Sequence, residues 1–82
     1  MTKEEYEKRI QNENINLDKL QIVIGSVSNV PYTTGCYRDG DFWKIYKVGE
    51  RQNLVVVREG NEDEIFESMY KVTKGLLKQS QW

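Results

Sequence analysis

The sequence predicts an α+β domain: an antiparallel meander of three or four strands packed against a C-terminal helix, with an additional N-terminal helix. Three observations carry this. Asp39-Gly40 separates two strand-like runs, a strong short-range hairpin signal. Apolar residues recur at helical spacing from Ile65 to Leu77. Thr2, followed three residues on by Glu5, has the spacing of a capping box that opens a helix.

The first helix is expected from Thr2 to about Asn14, with Glu4, Glu5 and Glu7 ahead of Lys8 and Arg9, the order that suits the helix dipole. Its apolar face is narrow, essentially Tyr6 and Ile10, so it docks on a larger surface rather than building one. Asn12, Asn14 and Asn16 end it, because their side chains compete for backbone hydrogen bonds. Leu17, Leu20 and Ile24 have helical spacing, whereas Ile22-Val23-Ile24 is a β-branched run; the balance favours a strand over Leu20–Gly25. Ser26 to Tyr32, with Pro31, reads as a loop.

Thr33–Arg38 and Asp41–Val48 are then the two arms of the hairpin. A type I′ turn at Asp39-Gly40 sets Arg38 opposite Asp41, Tyr37 opposite Phe42 and Cys36 opposite Trp43. Gly49 to Gln52 forms the next turn, and Asn53–Glu59 a further strand. Leu54-Val55-Val56-Val57 is apolar without alternation, which predicts a strand covered on both faces, central in the sheet or facing a partner. Asn61 caps the last helix, with Glu64 three residues later. Its stripe is Ile65, Phe66, Met69, Tyr70, Val72, Thr73, Leu76 and Leu77, with acids in the first turns and Lys71, Lys74 and Lys78 in the last. Gly75 inside it implies close packing or a fraying end.

At 82 residues the chain is expected to be one domain, 1–82. Twelve Lys+Arg balance 13 Asp+Glu, so there is no general electrostatic footprint for nucleic acid or an acidic membrane. With no histidine and the single Cys36, a structural zinc site of Cys and His, a Cys–His nucleophile pair and an internal disulfide are excluded. No apolar stretch approaches the ~20 residues of a membrane span, and the acidic start is unlike a signal peptide. A cytoplasmic location and no cofactor are the resulting expectations.

The inventory for catalysis is poor. Asp39 and Asp41 serve the turn and its cross-strand pair, Cys36 has no histidine to activate it, and the glycines sit at turns and strand ends rather than in a phosphate loop. The aromatic set is richer. Tyr32, Tyr37, Phe42, Trp43 and Tyr46 cluster around the hairpin with Lys44 and Lys47 interleaved, a combination that can stack single-stranded nucleic acid. Alternation puts Phe42, Tyr46 and Val48 on one face and Trp43 and Ile45 on the other. One helix stripe does not cover both, so either the N-terminal helix covers the face that the C-terminal helix leaves, or part of that face is left as a binding surface. Trp43 is accordingly core or an interface anchor, and Trp82 a loose end or a contact with a partner. The acids Glu59, Glu62, Asp63, Glu64 and Glu67 complement the helix dipole or form a negative patch for a basic partner.

Gly40-Asp41-Phe42-Trp43-Lys44-Ile45-Tyr46, the Glu50-Arg51 turn, and Glu62-Asp63-Glu64-Ile65-Phe66 with Tyr70 form a layout that resembles the small immunity proteins of bacterial polymorphic-toxin systems. It departs from that layout at Gln52, where glycine is usual, and at Ile65, where alanine is. The resemblance implies a protein that neutralises a cognate toxin by direct binding and has no catalytic residues. From the residues themselves, the partner-binding candidates are Tyr37, Arg38, Asp39 and Asp41 at the hairpin tip, Glu50 and Arg51 in the second turn, and Glu59, Glu62 and Asp63. A small single-stranded nucleic-acid binder is the alternative, and self-association through a sheet edge a third possibility.

Overall fold

A computed structural model describes residues 1–79, so the expectation for Trp82 lies outside the described residues. In chain order the elements are α1 (Lys3–Asn12), β1 (Ile22–Ile24), β2 (Thr34–Asp39), β3 (Phe42–Val48), β4 (Leu54–Gly60) and α2 (Glu62–Gln79).

Both halves of the capping box are made at the start of α1: the Glu5 N–H donates to Thr2 Oγ1, and the Thr2 N–H to Glu5 Oε1, each at 3.2 Å. The helix stops where the asparagines begin. Asn14 takes a positive φ of 55°, its N–H bonds Gln11 O, and the Ile15 N–H reaches back to Ile10 O. This Schellman arrangement brings Ile15 beside Ile10 in the core. The ambiguous segment that follows is both things in turn. Leu17–Gln21 makes a single helical turn closed by Ile22 N–H to Leu17 O, and β1 then starts at Ile22 rather than Leu20.

The four strands lie in the order β1-β2-β3-β4. The sheet is mixed, not an antiparallel meander throughout, because β1 runs parallel to β2, with Ile22 beside Thr34 and Ile24 beside Cys36. Residues 25–33 make a crossover in place of a hairpin. Tyr46 fastens it: its hydroxyl donates to Ser26 O at 2.9 Å and accepts from the Ser28 N–H at 3.1 Å. The connection thus covers Tyr46, whose ring lies over Gly35 on the face away from the core cluster.

α1 and α2 share the opposite face, that of Trp43 and Ile45, so the N-terminal helix does not cover the face that α2 leaves, as one sequence expectation had it. Tyr6, Ile10, Ile22, Cys36, Trp43, Ile45, Ile65, Phe66 and Met69 belong to one buried cluster between helices and sheet. Phe66 is its hub, with the Trp43 ring edge-on at 4.9 Å and Tyr6 at 5.5 Å. The helices lie start beside start and end beside end. Glu62 accepts from the Lys3 N–H at 3.0 Å, while Glu13 pairs with Lys74 and accepts from the Tyr70 hydroxyl. Those two donors hold the Glu13 carboxyl below the usual carboxylate range. Gly75 is not closely packed, since a Cβ there would have nothing within 4 Å.

Two acids in this core are held neutral. Thr73 gives its one hydroxyl hydrogen to Met69 O at 2.7 Å, so the Tyr6 hydroxyl is the donor in the 2.8 Å bond to Thr73 Oγ1. Burial pushes the Tyr6 phenol from 10.0 up to about 12, and the Cys36 thiol from 9.0 up to about 11. The unfolded chain releases these protons first, so the contribution of these two groups to stability is whole below pH 9.0 and is lost as pH rises through 9.0 to about 12. Urea midpoints measured across that range are expected to decline, and Cys36→Ala to flatten the portion between 9.0 and about 11. Midpoints that stay level in the wild-type protein would contradict both assignments.

Candidate protein-binding site

The β2–β3 hairpin carries the candidate surface, and its register differs by one residue from the sequence expectation. Asp39 pairs with Phe42, Arg38 with Trp43, Tyr37 with Lys44 and Cys36 with Ile45. The two-residue loop is therefore Gly40-Asp41, with φ of +64° at Gly40 and no positive φ at Asp41, as a type II′ turn requires. The physical reason is economy of strain: this turn asks for a left-handed residue only where glycine stands, whereas type I′ would also have forced Asp39 into that region.

The shift re-pairs the charges. Asp41 does not face Arg38; Asp39 instead holds Lys44, with Lys44 Nζ 2.7 Å from Asp39 Oδ2. That contact raises the Lys44 ammonium above its ordinary value, chiefly through the hydrogen bond to Asp39. Arg38 folds over the turn, its Nε–H donating to Gly40 O at 2.9 Å. Tyr37 is half-buried against Tyr46, with centroids 5.9 Å apart, and stiffens the base of the hairpin.

Phe42, absent from the sequence candidates, stands at the centre of this end and is 52% exposed. Alternation grouped it correctly with Tyr46 and Val48, but the crossover that covers Tyr46 is fastened there and leaves Phe42 open. Around Phe42 are Asp39, Asp41 and Lys44, and Glu59 pairs across from Lys44 on β4. An aromatic ring framed by charges of both signs on a rigid strand pair is the anatomy of a small protein-binding hot spot.

The other candidates are not brought to this place. Glu50 and Arg51 lie in the turn at the far end of β3, about 20 Å away at ~3.4 Å per strand residue. Glu62 and Asp63 open α2 and serve α1: Glu62 takes the Lys3 N–H, and Asp63 Oδ1 lies 3.5 Å from the Met1 amino group. Trp43 is core.

The outer strand is not central in the sheet, as one of the two expectations for its apolar run had it. β4 forms one edge of the sheet, and Leu54, Val55, Val56 and Val57 are between 36% and 53% exposed. A bulge, with Ile45 opposite Arg58 but Tyr46 opposite Val56, inserts Val57 as an extra residue. Between this strand and α2 runs an open groove lined by Arg58, Glu64, Glu67, Ser68, Lys71 and Val72. No group of three metal-ligating side chains gathers among the described residues, and none of their helices is long and apolar enough to cross a membrane. Comparison with protein-family models, curated proteins and solved structures finds no match to this chain.

Proposed function

We propose that this is a non-catalytic binding protein that neutralises a bacterial toxin by direct protein–protein contact, as the immunity proteins it resembles do. The observation that carries this reading is the exposed Phe42 at the end of a braced hairpin, ringed by Asp39, Asp41, Lys44 and Glu59. A second detail supports the resemblance. Gln52, where the related layout has glycine, has a φ of +64°, the left-handed conformation that glycine adopts most readily. The nucleic-acid alternative is weakened because Lys44 already spends its charge on Asp39.

The test is co-expression with the product of any toxin gene found beside its own, followed by calorimetric titration of the purified pair. Growth rescue and a nanomolar Kd are expected. Phe42→Ala is expected to weaken the complex by about 2 kcal/mol, roughly thirtyfold, while leaving the melting temperature nearly unchanged. Absence of both rescue and complex would end the reading. Salt-dependent binding of a single-stranded oligonucleotide would replace it with the alternative.

A further inference from the structure

We propose that two copies of this chain join through their β4 edges, an antiparallel β4–β4 pairing that extends the sheet across a two-fold axis near Val55. No strand among the described residues pairs with the outer side of β4, which leaves a row of peptide groups open there. Ladder alternation counted from the Gly49 N–H to Asn53 O bond turns the peptide groups of Leu54 and Val56 outward. The bulge at Val57 interrupts that alternation, so the pairing segment lies ahead of it, at Asn53–Val57.

Within that segment the strand is complementary to itself. An axis at Val55 lays Val55 on Val55 of the second copy and Leu54 on Val56, so that half-exposed apolar side chains meet one another. The ends match in charge as well. The β3–β4 turn carries Glu50 and Arg51, and the far end of β4 carries Arg58 and Glu59. Antiparallel pairing lays one end on the other, which brings the end of β4 that carries Glu59 in each copy to the turn that carries Arg51 in the other. Two symmetric Arg51–Glu59 pairs then flank the apolar centre, which a foreign strand has no reason to reproduce. The hairpin tip and Phe42 lie outside this segment.

Sedimentation equilibrium of the full chain tests the pairing at concentrations up to about 100 µM, above the micromolar Kd suited to a small interface. The expected result is a mass approaching twice 9.7 kDa. Val55→Lys, which sets two cations on the axis of a strand already exposed, is expected to give a monomer with an unchanged circular dichroism spectrum. Arg51→Glu and Glu59→Arg are each expected to weaken the dimer about tenfold, and the two together to restore it. A wild-type monomer throughout, a dimer that survives Val55→Lys, or a double exchange that fails to restore would each overturn the proposal.

Discussion

Trp43→Ala is expected to lower the unfolding free energy by about 3–5 kcal/mol, the usual penalty for emptying a large aromatic site. The indole is 9% exposed and meets Phe66 edge-on at 4.9 Å, between the sheet and the first turns of α2. The same ring of Phe66 packs on Tyr6, so the cavity would lie where both helices meet the sheet. For a chain of this length total stability is about 4–12 kcal/mol, so the variant would be close to its unfolding limit at 25 °C. Urea titration read by circular dichroism measures the loss directly. A cost below about 1 kcal/mol, with loss of partner binding, would instead make Trp43 an interface anchor and would contradict its placement in the core.

Gly35→Val is expected to be nearly as harmful for the opposite reason. Gly35 has no unusual φ; what it lacks is room. A Cβ there would sit 2.5 Å from Val23 O, 2.6 Å from the Tyr46 hydroxyl oxygen and 2.7 Å from the ring carbon that bears it. The first neighbour is backbone of the parallel strand β1, and the second is the phenol that ties down the crossover. Relieving the clash means parting β1 from β2 or lifting Tyr46 from Ser26 and Ser28, and a cost of about 1–3 kcal/mol or more follows. Tyr46→Phe relieves only the hydroxyl contact, so the double variant is expected to remain destabilised. Recovery of the wild-type urea midpoint in that double variant would mean that Val23 O is not the obstacle.

These two residues also show where local pattern stops. Trp43 could be placed on a face by alternation, but whether that face was covered depended on α2 folding back over it. Gly35 gave no signal, because the atoms that exclude a side chain come from Val23 and Tyr46, distant or differently directed in the chain. The hairpin was legible in position and wrong by one residue in register. An Asp-Gly pair marks a turn, but its type is decided by which residues take positive φ once the arms have paired. Asp39 consequently moved from the loop into β2, where it meets Lys44. Of the candidate residues, Asp39, Asp41 and Glu59 gather near Phe42, whereas Glu50 with Arg51, and Glu62 with Asp63, stand elsewhere.

What the sequence determined by itself is the set of features written over a few neighbouring residues. The Thr2–Glu5 box, the Asn14 stop, the Asn61 cap with its 2.8 Å bond from the Glu64 N–H, and the buried stripe of α2 are all of this kind. Each is closed by atoms within a turn or two, so composition and spacing suffice. The direction of β1, the common face of the two helices, the opening over Phe42 and the bare edge of β4 were decided only in the tertiary structure. An apolar run such as Leu54–Val57 states how much surface needs covering; whether a neighbour arrives to cover it depends on strand order, which no local period encodes.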